Sequence, residues 1–158
     1  MLRASRVLLS SNLVSKSFNS TAVLQRSSPS DTVSPAELFG SAKKAVLIGV
    51  PGAFTPGAFT LILMSSLLIG CVSVNDAFVM DAWGKDLNVG DKVTMLADPQ
   101  GKFVKDLGLD FDASGALGGH RAKRFALVLE NGKITKAFVE PNNTGLSVTL
   151  AENLLKEL

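Results

Sequence analysis

Ala45-Val46-Leu47-Ile48-Gly49-Val50 follows Lys43-Lys44 and stops at Pro51-Gly52, and these ten residues decide the fold class. The run is apolar, rich in β-branched side chains and closed by a turn signal. Such a run is a strand buried on both faces, as the centre of a parallel or mixed sheet requires. Upstream, Ser34-Pro35-Ala36-Glu37 reads as a helix start, with Ser34 as N-cap, Pro35 at the first helical position and Glu37 at the third. That helix ends near Gly40. Residues 27–35 read as a linker.

Downstream, no charge occurs between Lys44 and Asp76. Residues 58–74 are the most apolar part and form a transmembrane candidate on hydropathy. Pro51, Pro56 and three glycines interrupt the run on its N-terminal side, and the clearly apolar part is short for a span. Strand, loop, short buried helix and strand is the preferred reading, with a small membrane-anchored protein as the alternative. Residues 77–85 suit an amphipathic helix, capped by Asn75 or Asp76, with Phe78, Val79 and Trp83 for packing. Residues 92–97 form a strand stopped by Asp98-Pro99-Gln100-Gly101, and 103–107 a short helix stopped by Gly108. Residues 124–129 and 134–139 are strands joined by a hairpin turn at Asn131-Gly132. Residues 149–158 read as a C-terminal helix with Thr149 as cap and Glu152 completing a capping box. Strands alternating with helices give an α/β fold with a mixed central sheet flanked by helices.

The first thirty residues differ from the rest. They hold Arg3, Arg6, Lys16 and Arg26, nine serines and no acid. That composition is the signature of a mitochondrial transit peptide, so residues 1–30 are expected to be the address and 31–158 the domain. The whole chain of 158 residues carries 16 basic and 14 acidic side chains, too balanced for a nucleic-acid binder on charge alone. One Cys and one His, Cys71 and His120, exclude an internal disulfide and any multi-His or Cys-rich metal site. No cofactor and no metal are expected.

Val50-Pro51-Gly52-Ala53-Phe54-Thr55-Pro56-Gly57 resembles the active-site loop of a peroxiredoxin of the type-five (type II, atypical two-cysteine) subfamily. Residues 73–79 with Trp83-Gly84, Leu96-Ala97-Asp98-Pro99, Lys123-Arg124-Phe125, Val139-Glu140-Pro141 and Thr144-Gly145-Leu146 agree in order. The resemblance covers about residues 36–158. It implies a thioredoxin-like fold and a thiol peroxidase that reduces hydrogen peroxide and alkyl hydroperoxides, then is restored by thioredoxin or glutaredoxin. It also implies association through the edge of that loop, as a homodimer or a mixed dimer. A thiolate, not a thiol, attacks peroxide, so the family sets its cysteine at a helix N-terminus. A Thr hydroxyl and an Arg guanidinium hold the peroxide oxygens, and a Pro shields the site. Position by position these are Thr55, Arg124 and Pro51.

The departure lies one residue further on. The reactive cysteine of the family should follow Gly57, and this chain has Ala58 there. A methyl group cannot attack peroxide or form a sulfenic acid. Between the loop and Ser73 the chain is about a dozen residues shorter than the family spacing, roughly three turns of helix. The family's N-terminal strands are expected to be missing too, which would leave apolar sheet surface uncovered and an edge unpaired. A misjoined exon or a decayed paralogue produces such a pattern. Cys71 falls in a predicted central strand, where apolar surroundings keep a thiol inert. Val148 stands near where some relatives carry a resolving cysteine, and His120 is expected in a loop. The sequence therefore describes a peroxiredoxin-like protein of the mitochondrial matrix, inactive in this form. The alternative within the family is a non-catalytic partner of an active paralogue.

Overall fold

The computed structural model describes residues 12–18, 20–57 and 67–158. The run from Lys43 is the centre of the molecule. β3 (Lys44–Gly49) lies between β4 (Leu68–Ser73), with which it is parallel, and β8 (Phe125–Glu130), with which it is antiparallel. β5 (Thr94–Ala97) continues the parallel side, and β9 (Lys133–Val139) the antiparallel side. β1 (Leu24–Gln25) pairs with β5, and β2 (Thr32–Val33) with β1. The seven-stranded order is β2-β1-β5-β4-β3-β8-β9.

Strand alternation sends successive side chains to opposite layers. Ala45 and Leu47 enter one core with Phe39 of α1 (Pro35–Phe39) and Phe103 and Val104 of α3 (Lys102–Asp106). Val46 and Ile48 enter the other with Ala77, Met80 and Trp83 of α2 (Ala77–Asp86) and Leu154 of α5 (Ala151–Leu155). Two helical layers thus enclose one mixed sheet, the expected architecture.

Local signals are met closely in places. Ser34 Oγ accepts from Glu37 N at 3.2 Å, and Glu37 Oε2 accepts from Ser34 N at 2.9 Å, the reciprocal capping box. Asp76 caps α2, accepting from Val79 N at 2.9 Å. Asn131 and Gly132 both take positive φ, 50° and 75°, as a type I′ hairpin turn demands.

Other expectations fail, each for a tertiary reason. The N-terminal strands expected to be missing are present as β1 and β2. Residues before position 31, expected to stand outside the domain, are part of it from Leu13 on: Leu13, Phe18, Ala22 and Leu24 are buried in the first core. The apolar face expected to lie open is covered, since Val46, Ile69 and Val128 are buried against α2 and α5. The membrane-span reading of residues 58–74 loses its second half, because Leu68–Ser73 is a strand bonded on both sides. Among the described residues no helix is long and apolar enough to cross a membrane. The short helix expected before that strand falls on residues 58–66, outside the described residues. Phe78 is 63% exposed, because Met80 and Trp83 hold the buried face of α2. His120 belongs to a strand, β7 (His120–Ala122), in a small hairpin with β6 (Asp110–Asp112) around α4 (Ser114–Leu117). Thr149 does not cap α5. Leu150 occupies the N-cap position without a side-chain bond, and the Thr149 hydroxyl goes to Glu140.

Candidate active site

The loop that carries the family pattern leaves the C-terminal end of β3. Gly49 faces Phe125 in register, so Pro51, two residues past Gly49, and Arg124, one before Phe125, lie at the same end of the sheet. Ser73 ends β4 beside them, with Val50 N donating to Val72 O at 3.1 Å. A Cβ on Gly49 would collide with the Phe125 ring, which fixes why glycine stands at this strand end.

The loop is held from inside and from below. Thr55 Oγ1 donates to Gly52 O at 2.7 Å, spending its proton on the backbone and leaving its lone pairs as acceptors. Asn75 Oδ1 accepts from Ala53 N at 3.0 Å and from the Ser73 hydroxyl at 2.7 Å, tying the loop to the end of β4. Arg121 Nη1 donates to Val74 O at 3.2 Å and Nη2 to Leu117 O at 2.9 Å, so the β6–β7 hairpin is pinned beneath the same end. Phe54, at φ 60°, turns outward and is 56% exposed, its ring 6.4 Å from Trp83. Gly57, at φ 73°, abuts Leu146 so closely that a Cβ would lie 2.5 Å from its Cδ1.

Arg124 is only 4% exposed. Its Nε donates to Thr144 O at 3.3 Å. Burial pulls its pKa down, while the neighbouring Glu140 and Cys71 act the other way. Its acidic neighbour, Glu140, is itself buried. Glu140 accepts from Ser147 N and Oγ at 2.7 and 2.6 Å and from Thr149 N and Oγ1 at 2.9 and 2.7 Å. Burial pushes the Glu140 carboxyl up, but those four donors outweigh it and hold its pKa below the ordinary value. A buried cation and a buried anion therefore face each other behind the loop, and the anion organises residues 147–149.

Ala58, where the family's reactive cysteine should stand, lies outside the described residues. Cys71 is fully buried in β4. Burial pushes its thiol up to about 12, against a modest opposing pull from Arg124. At neutral pH it is a neutral thiol packed among Val46, Ile48, Met80 and Trp83. His120 Nδ1 is 3.1 Å from Asp110 Oδ2 on the exposed β6–β7 hairpin. Among the described residues no cluster of His, Cys, Asp or Glu could hold a metal ion. Two open surface grooves, about 560 and 660 Å³, are lined by none of Pro51, Thr55 and Arg124.

Pro51, Thr55 and Arg124 are thus brought to one end of the sheet. Sequence reasoning did not assign Asn75, Arg121 and Glu140 to the site. Asn75 and Glu140 lay within quoted family segments, the only signal available, whereas Arg121 had none.

A mixed sheet with helices on both faces, with this loop and a buried Arg at one end, is the thioredoxin-like arrangement that the resemblance implies. The Redoxin family model matches residues 65–155, more than half of the chain. The chain is similar to peroxisomal membrane associated protein 20 of Schizosaccharomyces pombe, 38% identical over 135 residues that span 76% of this chain and 85% of the relative. It is 42% identical to peroxiredoxin-2D of Arabidopsis thaliana over 128 residues, 73% of this chain and 78% of the relative. Among solved structures it resembles peroxiredoxin 5 of Alvinella pompejana, with TM-score 0.76 and 32% identity over 92% of this chain and 98% of that one. It also resembles reduced Prx3 of Vibrio vulnificus in complex with hydrogen peroxide, with TM-score 0.80 and 37% identity over 92% and 98% of the two chains. The chain belongs to the peroxiredoxin family.

Proposed function

We propose that this chain is a type-five peroxiredoxin scaffold that does not turn over peroxide by itself. One observation carries the reading: the only cysteine of the sequence, Cys71, is sealed in the central sheet with its thiol pushed up to about 12. A thiol peroxidase needs a reachable thiolate. Thr55 and Arg124 stand at the positions that the family resemblance gives to the residues holding the hydroperoxide, and a relative, Prx3 of Vibrio vulnificus, is solved in complex with hydrogen peroxide. Ala58 gives them nothing to deliver it to.

The test is peroxide consumption by the purified chain, with thioredoxin or glutaredoxin and their reductases as electron donors. The expected rate equals the protein-free blank. Turnover lost in Cys71→Ser would show that Cys71 works and overturn the reading. Turnover that survives Cys71→Ser would overturn the thiol-based account altogether.

A second reading, pairing with an active paralogue, is favoured by Phe54 and Leu146. Both are large apolar side chains on the loop surface, 56% and 45% exposed. Leu146 abuts Gly57 of the loop, and the family resemblance implies association through the edge of that loop. Mixing with an active peroxiredoxin of the same cell should give mixed dimers by native mass spectrometry and lower the activity per active subunit. Separate species with undiminished activity would end this reading.

We assign the protein to the mitochondrial matrix on the acid-free, Arg- and Ser-containing N-terminus. A fluorescent fusion to its C-terminus tests this, and accumulation in peroxisomes would refute it.

A further inference from the structure

The composition of residues 1–30 is uniform, acid-free and Ser-rich, and nothing in it marks an internal boundary. The structure places its described part, from Leu13 on, within the fold. From Leu13 the chain runs as a strap from one side of the sheet to the other. At one end, Ser15 N donates to Ile134 O at 2.8 Å and Ile134 N to Lys16 O at 3.1 Å, with Ser17 bridging Lys133. The strap therefore borders β9, the outermost strand on that side. At the other end, β1 pairs with β5 through Gln25 and Ala97.

Between these anchors the strap covers the first core. The Phe18 ring lies 5.6 Å from both Phe39 and Phe103, so it joins α1 to α3. Leu13, Ala22 and Leu24 are buried with it, none more than 3% exposed. Polar contacts fasten its outer side. Ser20 Oγ donates to Asp106 at 2.6 Å, and Lys102 Nζ donates to Thr21 Oγ1 at 3.2 Å.

We propose that residues 13–25 are a permanent part of the domain, so the address is confined to residues 1–12 and maturation must cut before Leu13. A cut near residue 30 would strip Phe39 and Phe103 of their aromatic neighbour and remove the partner of Ile134 at the sheet edge. It would also delete β1, on which β2 depends. The confined address retains Arg3 and Arg6 and no acid, which still suits import. The mature chain then holds 14 basic and 14 acidic residues, close to neutral.

Three chains test this: the whole protein, residues 12–158 and residues 27–158. Chain 12–158 should melt within about 2 °C of the whole protein, and 27–158 should melt roughly 15 °C or more lower or fail to stay soluble. Because failure to fold has many causes, a point variant supplies a second readout. Phe18→Ala in the whole chain should lower the midpoint by about 10 °C, whereas Val23→Ala, at an exposed neighbour, should shift it by about 2 °C or less. The mature N-terminus mapped from cells should lie at residue 13 or earlier. The proposal is overturned by a 27–158 chain as stable as the whole protein, by a 12–158 chain as weak as 27–158, by a silent Phe18→Ala, or by a mature chain starting after Leu13. None of these readouts depends on peroxide chemistry.

Discussion

Exposing the folded protein to a thiol reagent at pH 7.4 should leave Cys71 almost untouched. A free cysteine of pKa about 8.5 is roughly 7% thiolate at that pH. With the Cys71 thiol pushed up to about 12, the thiolate fraction falls to about three in a hundred thousand. Ionisation alone therefore slows attack by about three orders of magnitude. Access slows it further, because the side chain has no exposed surface. Its strand is bonded to β3 on one side and β5 on the other, so opening it approaches global unfolding. Iodoacetamide labelling, followed by intact mass, should run about a thousandfold or more slower on the folded chain than on the chain in guanidinium. Hydrogen peroxide should add no oxygen to Cys71 on the same timescale.

The same burial has a pH signature with a definite sign. The unfolded thiol loses its proton near pH 8.5, while the folded one keeps it to about 12. Between those values the unfolded state binds fewer protons, so stability falls with rising pH by up to about 1.4 kcal/mol per unit from this group. Cys71→Ala should flatten that alkaline limb relative to the natural chain. Labelling of the folded chain within about tenfold of the unfolded rate, or an alkaline limb unchanged in Cys71→Ala, would refute the reasoning.

Three further perturbations follow from the site. Glu140→Gln places an amide N–H₂ against donors from Ser147 and Thr149 and leaves Arg124 without its anion; denaturant titration should show a loss of about 2–4 kcal/mol. Because the folded Glu140 pKa is depressed, its contribution is present above the unfolded value of about 4.3 and lost as pH falls, so the acid limb of the stability curve should flatten in Glu140→Gln. Asn75→Ala removes one acceptor shared by Ala53 N and the Ser73 hydroxyl; a loss of about 1–3 kcal/mol and faster hydrogen exchange at Ala53 are expected. Gly49→Ala drives a methyl into the Phe125 ring between two central strands and should lower stability by about 1–3 kcal/mol by thermal melting, with equal stability counting against the packing described.

What the sequence determined by itself was local or patterned. The apolar run of residues 45–50 is a central strand because its β-branched side chains suit burial on both faces. Ser34 with Glu37, Asp76, and Asn131-Gly132 act within a few residues of their own positions, so their roles are written in spacing alone. The Pro51–Gly57 pattern also carried the family resemblance, and with it the expectation of a cysteine where the chain has Ala58. Only the tertiary structure decided the rest. Phe18 finds its place by meeting Phe39 and Phe103, residues distant along the chain, so a Ser-rich leader pattern conceals a core residue. Thr149 serves Glu140 rather than a helix end, and Phe78 faces water because Met80 and Trp83 already fill the buried side of α2. The central position of Cys71 was legible in its segment, but the partners that bury it, β3 and β5 on either side, were not. Burial is a property of what the chain folds against, and spacing along one segment does not contain it.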